Sequence, residues 1–295
     1  MNGNISGDEW VKLELAVKIA GRPIEVEMTV PARPVKPHRI LPVFHQMTNA
    51  FVGMGARDAE SRGEKISCKA GCGACCRQPV PLAEVEVYQI AELVEAMPDA
   101  RQTEIRRRFS EANSHFHKMK WFDAMKRCAD SARRKSPDAV MKEIENLVNI
   151  YFREGIACPF LENESCSIHN SRPIACREYL VTSPAENCAN PKTATVHKVD
   201  VAARVSKLLQ PFGDSGRLNH MGFLPLIRAL EIADEFPETF AEKSGPDWIR
   251  DFFGIGETPA ATGADSRRKR RRRRPVSSPT QGRGAASGRS AGLLI

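Results

Sequence analysis

The chain has 295 residues, 41% of them hydrophobic, enough to bury a core as one large domain or two small ones. No stretch approaches the ~18 apolar residues of a membrane span. The opening MNGNISGDEWVKLEL has no basic segment leading into an apolar run, so neither a spanning helix nor a secretory signal is expected, and a cytoplasmic location is. The formal net charge of +8 comes from 44 basic and 36 acidic residues, but residues 266–295 hold ten of the basic side chains and no acid; the remaining 34 against 36 leave the body near −2, no footprint of a nucleic-acid-binding fold.

Residues 11–30 alternate. Val11, Leu13, Leu15, Val17 and Ile19 fall on one face, and Ile24, Val26, Met28 and Val30 resume the pattern after Gly21-Arg22-Pro23. This predicts a β-hairpin with one buried face. Pro31, Pro34 and Pro37 then impose an extended connector, closing a segment 1–40.

Helical periods follow over 41–254. Leu41, Phe44, Met47 and Phe51 share one helix face. Pro81 is read as opening a helix carrying Leu82, Val85, Ile90, Leu93 and Val94, and a long charged helix is expected over about 99–134. Ser136-Pro137 reads as a cap and a first-turn proline, with the helix running to Gly155. Further helices are expected near 197–210, 221–236 and 246–253. From 255 to 295 the composition turns to Gly, Ala, Ser, Thr, Pro and Arg, which offers too little apolar surface to offset chain entropy; this tail reads as disordered. The run Arg267 to Arg274 would bind nucleic acid only weakly and without sequence preference.

Eight of the nine cysteines fall into two clusters. Cys68, Cys72, Cys75 and Cys76 sit in a Gly-rich loop with Gly71 and Gly73; Cys158, Cys166, Cys176 and Cys188 occupy a loop-like stretch over 156–190. Crowded thiolates repel and crowded thiols oxidise, so the grouping points to a ligand set for a soft metal. An iron–sulfur cluster, such as one [4Fe–4S] unit, is the preferred reading and zinc the runner-up; buried structural thiols or disulfides are the bland alternative. Gaps of seven, nine and eleven residues in the second set do not resemble zinc knuckles. Cys128 reads as an ordinary helix residue, and His115 and His117 as surface side chains. His169, between Cys166 and Cys176, is the better candidate for a ligand or a group supporting one. Arg77, Arg172 and Arg177 flank the cysteines, where they would offset thiolate charge or bind an anion. Tyr179 is assigned to packing.

The order C-x3-C-x2-CC-R, then CPFL, then C-x-I-H-x-x-R-P-x-x-C-R-x-Y, then a last Cys, resembles the YkgJ-like or CxxCxxCC family of zinc- or iron-chelating proteins, over about 65–190. The family includes flagellin lysine N-methylases. The resemblance implies a metal-binding domain with the eight clustered cysteines as ligands. For the methylase members it also implies a [4Fe–4S] cluster and S-adenosylmethionine. The C-x3-C-x2-C spacing also occurs in radical S-adenosylmethionine enzymes, but the helices expected after it do not alternate with strands as their barrel requires.

The reading is a mainly α protein with an N-terminal β-hairpin and two Cys-rich metal-binding loops, of unassigned biochemical role and with no membrane partner. The alternatives are a cluster-dependent S-adenosylmethionine methyltransferase acting on protein lysine, and a zinc-stabilised module that binds a protein or nucleic acid.

Overall fold

The computed structural model describes residues 10–19, 22–132, 134–189, 195–218 and 224–254. The expected disordered tail at 255–295 and its Arg267–Arg274 run lie outside these residues. Strands β1 (Trp10–Ile19) and β2 (Arg22–Pro31) form the antiparallel hairpin, with Leu13 opposite Met28 and Leu15 opposite Val26. Alternation puts these four side chains on the face that packs on the body, where Val30 is fully buried; Val11 stays exposed.

The body is mainly α. Helix α1 (Leu41–Ser61) lays Leu41, Phe44 and Phe51 against α9 (Gly245–Phe253), whose Trp248, Ile249 and Phe252 complete one apolar cluster with Val30. The Phe44 and Phe252 rings lie 4.2 Å apart. A second cluster joins α2 (Glu84–Glu95), α3 (Asp99–Lys118) and α8 (Ala229–Glu235) through Ile90, Val94, Phe109, Leu230 and Ile232. Helix α2 bridges the two, with Val85 in the first and Val87 in the second.

Several elements differ from expectation. Pro81 does not open a helix: Pro81–Leu82 (β3) pairs with Leu224–Pro225 (β6), and α2 begins after Ala83. Proline's fixed φ suits an extended residue as well as a first helical turn. The helix expected over 99–134 is two, α3 and α4 (Trp121–Ala132), broken at Lys120, whose φ is 56°. The cap at Ser136 is present, accepting from the Ala139 amide at 3.3 Å, and α5 (Pro137–Arg153) ends before Gly155, φ 63°. The helix expected near 197–210 shrinks to α7 (Val205–Leu209), because His197 and Val199 instead bond to the backbone at Thr182 and Leu180. In the 221–236 region the helix is confined to α8, and 246–253 matches α9.

The 156–190 stretch is not a bare loop. It holds a minimal hairpin of β4 (Leu161–Glu162) and β5 (Ser165–Cys166), the short helix α6 (Ile174–Glu178), and a 3-10 turn over Ala185–Ala189. Asn163 and Glu164 turn the hairpin with φ of 47° and 57°, the left-handed pair that suits a two-residue loop. No described helix is long and apolar enough to cross a membrane.

Candidate metal centre

After α1 the chain enters the first cysteine segment in a series of tight turns. The amides of Cys72, Cys76 and Gln78 donate to the carbonyls of Lys69, Gly73 and Cys75. Gly71 takes φ 76°, a conformation that a side chain would strain. Gly73 is needed for a different reason: a Cβ there would lie 2.6 Å from Leu161 and 2.9 Å from Glu164 Oε2, so the loop rests directly on the β4–β5 turn. Arg77 closes the contact, with Nη2 2.7 Å from Glu164 Oε1.

Backbone hydrogen bonds tie the two segments together. The Cys158 amide donates to the Cys76 carbonyl at 2.7 Å, and the Ser67 amide to the Val181 carbonyl at 3.0 Å. Cys166 ends β5 opposite Leu161. Cys176 sits on α6, whose start is fixed by Glu86: this carboxylate, 1% exposed, accepts from the Ile174 amide at 2.8 Å and the Ala83 amide at 2.9 Å. Glu178, at the end of α6, in turn accepts from the Ser206 amide at 3.0 Å and its hydroxyl at 2.5 Å, which anchors α7.

The result is one cavity of about 390 Å³, lined by Cys68, Cys72, Cys75, Cys76, Cys158, Cys166, Cys176 and Cys188. Two clusters eighty residues apart in sequence thus share a wall. Cys128 does not join them; it is buried in α4 and meets Glu143 of α5. All nine cysteines are free thiols. Among the described residues, no three His, Cys, Asp or Glu side chains stand close enough to hold one metal ion. The sulfurs are gathered but spread.

Burial sets the thiol chemistry. It pushes Cys158 up to about 12 and Cys188 up to about 11, and holds Cys176 well above its ordinary value. Cys75 is raised first by its hydrogen bond to Cys76 and then by burial. Cys68 and Cys166 rise chiefly through burial. A coordinated cation inverts this balance, since a ligating thiol is deprotonated outright. The remaining wall contains Lys69, Arg172 and Arg177, several apolar side chains and no Asp or Glu.

His169 lines the cavity and touches Arg172; burial, then Arg172, lowers its basicity. Tyr179 also lines it and meets Cys188, with the Lys198 ammonium 5.1 Å from its ring centre. His115 and His117 are not co-ligands: they bond to Glu154 at 2.8 Å and Glu231 at 3.2 Å. Arg77 is not a wall residue, being held by Glu164.

Sequence reasoning missed Glu86 and Asn49. Arg177, 6% exposed, donates from Nε to the Arg172 carbonyl and from Nη1 to Asn49 Oδ1, and its Nη2 reaches the Asn170 carbonyl. Glu86 carried a usable signal. It lies four residues after Leu82 and four before Ile90, on the apolar face, where an acid is rare without partners.

No curated protein and no solved structure matches the chain. All eight cysteines of the cavity wall fall within a region that matches a family: residues 67–198 match the CxxCxxCC model, described as a putative zinc- or iron-chelating domain.

Proposed function

We propose that this protein binds an iron–sulfur cluster in the cysteine cavity, with ligands drawn from Cys68, Cys72, Cys75, Cys76, Cys158, Cys166, Cys176 and Cys188. The observation that carries the reading is that all eight line one cavity of about 390 Å³. The wall offers thiols and no carboxylate, the donor set an iron–sulfur cluster takes, whereas a lone zinc ion needs four donors at ~2.0–2.3 Å around one point. When bound, such a cluster supplies electron storage or an open iron that polarises a substrate atom.

The protein's own part is to hold the sulfurs and exclude water. Glu86 fixes the start of α6 and with it Cys176. Arg177 locks residues 170–172 through their carbonyls, and its buried guanidinium places positive charge beside the thiol wall. Phe160 and Ile168, both nearly fully buried, back the cavity with apolar surface. Anaerobic purification followed by metal and acid-labile sulfide analysis tests the reading. Iron and sulfide in comparable amounts, with a visible absorption lost in Cys158→Ser and Cys176→Ser, are expected. Stoichiometric zinc without sulfide would replace the cluster with a zinc site, and absence of any bound metal would overturn metal binding.

A further inference from the structure

The thiols are only part of the cavity wall. Its charged members are all cations, Lys69, Arg172 and Arg177, and no carboxylate is among the lining residues. Arg177 is committed, with Nε, Nη1 and Nη2 each donating to a protein oxygen. Arg172 is different. Its Nε is buried and has no hydrogen-bond partner, and the residue makes no ion pair among the described residues. The guanidinium contact it does make is to the His169 ring, a neighbour that brings it no negative charge. A forked donor of this kind is satisfied by an oxyanion.

Size and lining point the same way. About 390 Å³ lies within the ~300–1,000 Å³ typical of small-molecule sites. Val52, Val80, Phe160, Ile168 and Leu226 give the wall an apolar stretch that inorganic anions have no use for. We propose that the cavity also receives a small organic carboxylate, its anionic end paired with Arg172 and its apolar body laid along this stretch beside the thiols. The inference shares its cavity with the metal-centre reading but does not depend on which metal is bound.

The test uses the full-length protein as purified anaerobically, with its metal content measured on the same sample. Acetate, butyrate, hexanoate and inorganic phosphate are titrated by calorimetry at constant ionic strength and neutral pH. Saturable one-to-one binding that tightens from acetate to hexanoate is expected. Arg172→Gln should weaken hexanoate by about tenfold or more, and Arg172→Lys, which keeps the charge but loses the fork, by several-fold, with melting temperature and metal content kept. If Arg172→Gln fails to fold, the lysine variant carries the test. No saturable carboxylate binding, equal affinity in the folded variants, or phosphate bound as tightly as hexanoate would overturn the proposal. So would loss of metal in a folded Arg172 variant, since Arg172 would then serve the metal centre. Carboxylate binding by a protein that holds no metal would support the proposal while removing the cluster reading.

Discussion

Burial of ionisable side chains around the cavity has measurable consequences at single residues. His45 of α1 is 8% exposed, and its Nε2 has no hydrogen-bond partner. Burial lowers it to about 3, with Arg177 and Arg172 adding to the effect. The folded protein therefore keeps His45 neutral while the unfolded chain takes up a proton below about 6.5. Its contribution is fully present above that pH and is lost as pH falls toward 3. At ~1.4 kcal/mol per unit, the shift from 6.5 to about 3 limits the loss to about 5 kcal/mol. In urea unfolding between about pH 6.5 and 4, wild type should lose stability more steeply than His45→Gln. Parallel pH profiles would show that His45 is hydrated or partnered in solution. Glu86 makes a second residue-scale case. Glu86→Ala leaves two buried amides, those of Ala83 and Ile174, without acceptors, and should cost about 2–4 kcal/mol. It should also lower metal affinity, because α6 carries Cys176; equal metal retention with the same loss of stability would confine Glu86 to the fold.

At the scale of elements, the α3–α4 break shows why periodicity alone read one helix where there are two. Phe116 and Trp121 are five residues apart, so a continuous helix would turn them about 140° from each other. Both pack on Tyr151 of α5. Phe116 stacks on its ring at 4.1 Å, Trp121 lies at 5.3 Å, and Trp121 Nε1 donates to the Leu147 carbonyl at 2.9 Å. The break at Lys120 reorients the chain so that both reach α5. Nothing local in HKMKWF announces this, because the cause is the aromatic partner thirty residues downstream. Signals that are local, such as the alternation of the hairpin and the Ser136-Pro137 cap, were legible. Exposed Lys120 holds a left-handed backbone that costs an L-residue ~1–2 kcal/mol. Lys120→Gly should leave stability unchanged or raise it by up to about 1 kcal/mol, and Lys120→Val should lower it by a similar amount. A destabilising glycine here would mean that the lysine side chain contributes more than its backbone costs.

For the whole molecule, the cysteine pattern marked the two segments but not how they meet. That is set by bonds between distant residues, Cys158 to Cys76, Ser67 to Val181 and Ile174 to Glu86, which no spacing rule encodes. These bonds also decide what metal removal does. The hairpin, α1 and α9 share an apolar cluster, and α3, α4 and α5 have their own aromatic contacts, and none of the eight cavity cysteines is a member of either. Binding energy is then felt mainly where the ligands are. Chelation should leave most of the helical circular dichroism in place. Amide hydrogen exchange should quicken in 67–78 and 158–189 well before it does in α3 to α5. Cys176→Ser should reproduce that pattern without chelator. Global unfolding on chelation would mean that the two apolar clusters cannot stand without the centre, and unchanged exchange in both cysteine segments would mean that their hydrogen bonds alone hold the cavity closed.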